Sequence, residues 1–209
     1  MNGKILNKDF YIQDNVVDVA QKLLGKILVT HFNKQLTAAR IVETEAYNGV
    51  VDKASHAYNY RYTNRTQIMY ATGGVAYVYL CYGIHHLFNV VVGKKDNPLA
   101  VLIRAAEPLA GIDIMLARTA KKKLDNSLTK GPGNVAKAMG IHTMHTGKSL
   151  LHKNEMYIMD DGWHLNDKAI ITTPRIGVAY AAEHALLPYR FYINNNKYVS
   201  GNKKDNFPL

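Results

Sequence analysis

Asn33-Lys34 reads as a tight turn, with one strand-like run before it, Lys26 to Phe32, and another beyond it, Leu36 to Glu45. A connection that short leaves no chain for a crossover to a parallel partner, so the pattern predicts an antiparallel hairpin. The second strand ends on Glu43-Thr44-Glu45. A fold that uses this strand therefore has to accommodate carboxylates at its end.

Further along, the same kind of pattern recurs. Val75 to Cys81 alternates as a strand, Tyr82-Gly83 offers a turn, and Leu87 to Val92 reads as the returning strand. Pro98 to Arg104 follows as another strand, and Met156 to Met159, Ile170 to Thr173 and Arg190 to Ile193 are shorter candidates. Helical spacing appears at Val16, Val17, Ala20, Leu23 and Leu24, with Asp14 placed to cap the helix and Gly25 to end it. A second helix is predicted from Pro108 to about Thr119, closed by Lys121-Lys122-Lys123 where the helix dipole favours positive charge. Lys130-Gly-Pro-Gly-Asn134 leads into a short helix, Val135 to Met139, with Pro132 suited to its first turn. That glycine-rich stretch lacks the Gly-Lys-Ser/Thr of a Walker loop. With 209 residues and 47% hydrophobic content the chain can bury a full core. The expected fold is α+β: one domain over residues 1–209, a curved, mainly antiparallel sheet surrounded by helices.

Charge narrows the partners. A net charge of +10 calls for a polyanion, either a phosphate backbone or an anionic membrane surface. No apolar stretch approaches a membrane span, and the first ten residues lack the apolar centre of a signal peptide, so membrane insertion is set aside and a cytoplasmic, nucleoid-associated location is expected. The single cysteine, Cys81, excludes an internal disulfide or a thiolate cluster and fits a reducing compartment. His85-His86 and the pair His142 and His145 have no obvious further ligands, so no metal and no cofactor are expected.

Seven of the fourteen tyrosines lie between Tyr58 and Tyr82. Tyr77 and Tyr79 share a strand face, whereas Tyr82 falls at a turn and should project from it, where packing gives it little reason to be aromatic. The segment from Asn48 to Thr72 has no periodicity and carries Arg61 and Arg65 among tyrosines; an irregular stretch of that length in a compact domain is usually functional. Glu43 and Glu45, about 7 Å apart on one strand face, have equal standing as candidate acids or bases. Arg104 is a candidate partner for either, with a surface pair to Glu107 as the plain alternative. Charge and aromatics alone serve three readings: a noncatalytic nucleic-acid-binding module, a carbohydrate hydrolase using both glutamates, or an enzyme that holds a nucleobase beside a carboxylate. The carbohydrate reading is disfavoured by the basic charge and by the lack of a second acidic element facing the pair.

Taken together, Arg40-Ile-Val-Glu-Thr-Glu-Ala-Tyr47, His56, Tyr77-Val-Tyr-Leu-Cys-Tyr-Gly83, Asn89, Leu102-Ile-Arg-Ala-Ala-Glu-Pro108, Pro174-Arg-Ile-Gly-Val178 and Arg190-Phe-Tyr192 closely resemble the alkyladenine (3-methyladenine) DNA glycosylase family. The resemblance implies a base-excision-repair hydrolase that acts as a monomer on damaged purines in double-stranded DNA, without a metal or cofactor. It implies Glu45 as the general base that activates water, with Arg104 and a main-chain carbonyl between Ile176 and Val178 positioning that water. It implies Tyr47, Tyr79 and His56 as walls around the flipped base, the backbone at Ala54 as part of the edge readout, and Asn89 as the amide that crowds the amino group of guanine. Tyr82 is implied as the wedge that enters the duplex, and Met69 as a second residue pressed against it. Arg61, Arg65 and Lys130 are expected to meet the DNA backbone. The expected lesions are 3-methyladenine and 7-methylguanine, with hypoxanthine and ethenoadenine as further candidates.

Overall fold

The computed structural model describes residues 2–201; residues 1 and 202–209 of the expected domain lie outside the described residues. The strands are β1 (Lys4–Ile5), β2 (Ile27–Phe32), β3 (Gln35–Tyr47), β4 (Val75–Cys81), β5 (His85–Val92), β6 (Leu99–Ala110), β7 (Met156–Asp160), β8 (Ile170–Thr173) and β9 (Arg190–Ile193). The α-helices are α1 (Lys8–Tyr11), α2 (Val16–Lys22), α3 (Ile112–Thr119) and α4 (Pro132–Met139). All nine strands join one antiparallel sheet in the order β1-β7-β2-β3-β6-β5-β4, with β9 pairing with β3 and β8 with β9. The fold is the mixed, mainly antiparallel α+β arrangement that the strand and helix patterns predict.

The Asn33-Lys34 hairpin forms as expected: both residues take positive φ, +52° and +62°, and Phe32 pairs directly with Gln35. The strand that follows is the axis of the molecule. On one edge β3 pairs with β6 almost throughout; on the other it pairs with β2 as far as Arg40 and with β9 from Glu43 to Glu45. Register shifts against β6 between Ile41 and Glu43 and between Glu43 and Thr44 mark that change of partner, as bulges do where a strand is bent to serve two neighbours.

Several boundaries differ from the pattern. The cap of α2 is Asn15, not Asp14: its side chain accepts from the N–H groups of Val17 and Asp18. The strand expected to end at Arg104 continues to Ala110, so the helix expected from Pro108 begins only at Ile112. Pro108 is tolerated in β6 because it sits opposite Ala39 beside the register shift. The irregular segment after β3 contains three short 3-10 turns rather than any longer element.

The core lies between the sheet and the helices. Val16, Val19 and Ala20 of α2, Leu23 at its C-terminal cap, and Val135, Ala136, Ala138 and Met139 of α4 pack with Leu28, Ile41, Val90 and Ile103 of the sheet in one buried cluster. The hydroxyl of Thr44 donates to the Ala20 carbonyl at 2.8 Å, which binds the centre of β3 to α2. No helix among the described residues is long and apolar enough to cross a membrane.

Candidate active site

Alternation along β3 sends Thr44 towards α2 and its two glutamate neighbours elsewhere. Both Glu43 and Glu45 are fully buried, and both meet Arg104, which projects from the interior of β6 rather than from its end. Their surroundings separate them.

Glu43 is saturated with donors. Its Oε1 accepts from Nε of Arg104 at 3.0 Å, Nε of Arg190 at 2.7 Å and the hydroxyl of Ser200 at 2.9 Å, and its Oε2 accepts from the Ser200 N–H at 2.6 Å. Burial opposes the charged form, but the two guanidiniums and these hydrogen bonds prevail and hold the Glu43 pKa below the usual carboxylate value. A carboxylate so held anchors β3, β6 and β9 together and has little capacity left for a substrate.

Glu45 has a different shell. The N–H of Ile176 donates to Oε1 at 2.8 Å, Nη1 of Arg104 forms an ion pair with the same oxygen at 3.2 Å, and the Tyr47 hydroxyl donates to Oε2 at 2.8 Å. Ile176, Arg104 and Tyr47 all line an open groove of about 660 Å³, which also takes in His56, Arg61, Arg65, Tyr79, Tyr82 and Tyr180. The Arg104 pKa is depressed by burial and raised by Glu45 and Glu43, and the carboxylates win, so the guanidinium stays charged between them. Burial, reinforced by Glu45, pushes the Tyr47 hydroxyl well above its ordinary pKa, which keeps it a neutral donor. The expected alternative pairing of Arg104 with Glu107 is not formed; Glu107 accepts from Asn196 instead.

A smaller pocket of about 30 Å³ opens beside the groove, lined by Tyr47, Ala54, His56, Met69, Tyr77, Tyr79, Asn89, Ala100 and Tyr180. The five residues expected to surround a base are therefore brought together. His56 and Tyr79 meet edge to face at 4.6 Å. Asn89 is fixed by its own strand neighbourhood: Nδ2 donates to the carbonyls of Tyr77 at 3.2 Å and Leu87 at 3.4 Å. At Ala54 the N–H is already engaged with Asp52 at 3.0 Å, and the carbonyl accepts the Tyr180 hydroxyl at 3.1 Å while keeping a second lone pair.

Met69 is placed differently from the expectation that it presses on a duplex. Only 1% exposed, it packs with Ala57, Tyr77, Val91 and Ala100 at the back of the small pocket, because the short turn Gln67–Tyr70 points it inward. Tyr82 does project. It is 89% exposed at the β4–β5 turn, with φ of +50°. Left-handed backbone costs a non-glycine residue on the order of 1–2 kcal/mol, and an exposed ring recovers none of it by packing. Ile84, 71% exposed, stands on the same tip.

Of the expected backbone-contacting cations, Arg61 is exposed on the groove wall. Arg65 is exposed too, yet its guanidinium lies 4.7 Å over the Tyr79 ring and reaches His56. Lys130 is half-buried, joined by a backbone bridge to Ala105 and not on the groove; the first turn of α4 behind it flanks the Tyr82 hairpin, with Gly133 against His85.

Sequence patterns missed the pair that holds these parts in place. Asp52 and Arg175 are both buried; Nη2 of Arg175 donates to Asp52 Oδ1 at 2.9 Å, and Nη1 to the Ala46 carbonyl at 2.9 Å. The same guanidinium lies 4.9 Å over Tyr47 and 5.2 Å over Tyr189. Asp52 in turn accepts from Asn48 and Ala54, so one ion pair fixes both the loop after β3 and the segment that presents Ile176. Ser200 and Tyr180 were missed as well; nothing in their local sequence marks them, since each acts through a partner more than a hundred positions away.

A model of the methylpurine-DNA glycosylase family matches residues 9–197. A protein of Clostridium botulinum named "Putative 3-methyladenine DNA glycosylase" is 44% identical over 203 residues, covering 94% of this chain and 98% of its own. Relatives of the same name from Chlamydia abortus, 46% identical over 91% of this chain and 98% of its own, and from Natranaerobius thermophilus, 43% identical over 92% and 97%, are similar to it to the same degree. With the match running from α1 to beyond β9 and through every strand that shapes the groove, the chain belongs to the methylpurine-DNA glycosylase family of hydrolases.

Proposed function

We propose that the protein removes alkylated purines, 3-methyladenine and 7-methylguanine foremost, from duplex DNA by hydrolysing the N-glycosidic bond of a nucleotide flipped into the tyrosine-lined site. The observation that carries this reading is the Glu45 shell: a buried carboxylate whose three donors all line the groove beside an aromatic pocket.

The duplex lies along the basic groove, and Tyr82 enters the space that the flipped nucleotide leaves. The purine stacks against Tyr47, Tyr79 and His56 at the junction of groove and pocket. The pocket shares Tyr47, His56, Tyr79 and Tyr180 with the groove, so the base enters it from there. Glu45 accepts a proton from a water while the water oxygen bonds to the sugar C1′ carbon; the C1′–N bond breaks with its electron pair going to the purine. In a purine alkylated at N3 or N7 that pair neutralises the ring, so the base leaves without needing an acid. Positive charge grows on the sugar at the same time, and the carboxylate stabilises it. Stacking of a cationic base on tyrosine faces adds a cation–π attraction that normal purines lack. Hypoxanthine and ethenoadenine, being neutral, depend on the edge contacts at Ala54 and His56.

Incubation with methylated duplex DNA, followed by chromatography of the released bases, tests the reading and gives the lesion range. Release of free 3-methyladenine and 7-methylguanine with abasic sites left in the DNA is the expected result. Intact methylated DNA after prolonged incubation overturns it.

A further inference from the structure

One edge of the small pocket has a fixed hydrogen-bonding sense. A carbonyl oxygen only accepts, so in the 3.1 Å contact between Tyr180 and Ala54 the phenol proton is the one donated. The Ala54 N–H is spent as well, on Oδ1 of Asp52 at 3.0 Å. What this pair still offers is lone pairs, on the Tyr180 oxygen and on the Ala54 carbonyl. Both residues line the pocket, and Tyr180 lines the groove too, so this edge stands where an entering base passes. Packing gives little reason for a tyrosine here, since the residue is 69% exposed. The segment that carries it also supplies the Ile176 N–H to Glu45, and Ala182 in the same stretch takes φ of +50° and ψ of −127°, a backbone that favours glycine. Backbone held in such a conformation clusters at functional sites.

We propose that Tyr180 is a specificity-determining residue: its committed hydroxyl makes the Tyr180–Ala54 edge acceptor-only, which favours cationic alkylpurines over neutral bases that present lone pairs. The proposal rests on the glycosylase reading above and adds to it a side chain that meets the base. Positive charge on a purine alkylated at N3 or N7 strengthens the N–H and C–H groups of its rim as donors, and oxygen lone pairs attract them. Ethenoadenine is neutral and carries no N–H, so its ring nitrogens meet these oxygens lone pair to lone pair. Turning the Tyr180 proton towards such a base would give up the bond to Ala54, so the pocket has no free way to change its sense. Discrimination of this kind works by repelling the wrong ligand as well as attracting the right one.

The test is a ratio of affinities, measured in Glu45→Gln protein so that bound bases stay attached. Binding to duplexes carrying 7-methylguanine or ethenoadenine, each relative to the same duplex undamaged, gives the preference for the cationic lesion. Adding Tyr180→Phe keeps the ring and removes only the oxygen, and the preference should fall by about 3- to 10-fold, the worth of one hydrogen-bonding group. A merely structural contact would lower both affinities alike; an unchanged ratio overturns the proposal, and so does one that rises. Tyr180→Ala should show the same fall, with weaker binding to both lesions because the ring is gone too. A ratio in Tyr180→Ala equal to that of the Glu45→Gln background contradicts a role for the oxygen. With Glu45 restored, the ratio of 7-methylguanine to ethenoadenine released should move in the same direction in Tyr180→Phe. If the parent releases no base from methylated DNA, the glycosylase reading fails, and the affinity ratio still decides what Tyr180 does.

Discussion

The backbone N–H of Ile176 donates to Oε1 of Glu45 at 2.8 Å across 131 positions of chain. This contact turns a buried strand glutamate into an oriented one: with Arg104 on the same oxygen and Tyr47 on the other, the carboxylate has three donors that fix its plane. Orientation of this kind is what a base that must aim at one water requires.

Replacing that carboxylate should separate chemistry from binding. Glu45→Gln retains the size and an acceptor for Ile176 but cannot take a proton, so base release should drop by about 10²–10⁴-fold while affinity for lesion-containing duplex is kept. Chromatographic base release alongside gel-shift titration checks this. Turnover close to the parent's would place the base elsewhere.

The neighbouring glutamate should behave as a structural anchor. Glu43→Ala leaves Arg104 and Arg190 buried without the carboxylate that both engage, and loss of one member of a buried ionic cluster costs about 3–5 kcal/mol. Its pH dependence has a definite sign. Because the folded pKa is lowered, the stabilisation from Glu43 is complete above the unfolded value of about 4.3 and is lost as pH falls from there through the folded pKa. Denaturant unfolding between pH 7 and pH 3 should show that acid loss in the parent and a smaller one in the variant. A variant as stable as the parent at pH 7 contradicts the anchor role.

Tyr82→Ser should leave the fold intact, since the ring is 89% exposed and packs on nothing that its removal would uncover. Capture of the flipped state should weaken. Aromatic stacking on a base is worth about 1–3 kcal/mol, so the flipping equilibrium, followed with a fluorescent base analogue beside the lesion, should shift by roughly 5- to 150-fold. No shift would remove the wedge role.

Lys53 is a lysine on the groove wall, and it bears on whether the enzyme also cuts the strand. Its amine is 2.6 Å from Glu183, and that hydrogen bond raises its pKa, so it stays an ammonium and lacks the lone pair that a Schiff base needs. Borohydride added during turnover should trap no covalent protein–DNA adduct. A trapped adduct that disappears in Lys53→Ala would show lyase chemistry at this residue.

Much of this was legible in the chain because it depends on neighbours in sequence. Strand β4, β8 and β9 have the bounds that their alternation predicts, and the Asn33-Lys34 hairpin forms where the two runs demand it. The exposed position of Tyr82 follows from its odd offset beyond the strand face of Tyr77 and Tyr79. Where a local rule met a tertiary one, the tertiary one prevailed: Pro108 looks like a helix start, but pairing with β3 extends β6 past it to Ala110. Met69 likewise goes inward because a cluster around Tyr77 and Ala100 is there to receive it.

By itself the sequence determined the antiparallel sheet, the basic character, the tyrosine-rich turn and, through its blocks of resemblance, the membership of a family, since periodicity, charge and motif are properties of residues read in order. Spacing left Glu43 and Glu45 equal. The resemblance assigns water activation to Glu45, and the tertiary structure supplies the physical difference, because the groups that make it, Ser200 and Arg190 around one and Ile176 around the other, arrive from segments 131 to 157 positions away. Burial and donor geometry come from chain closure, which no local pattern encodes.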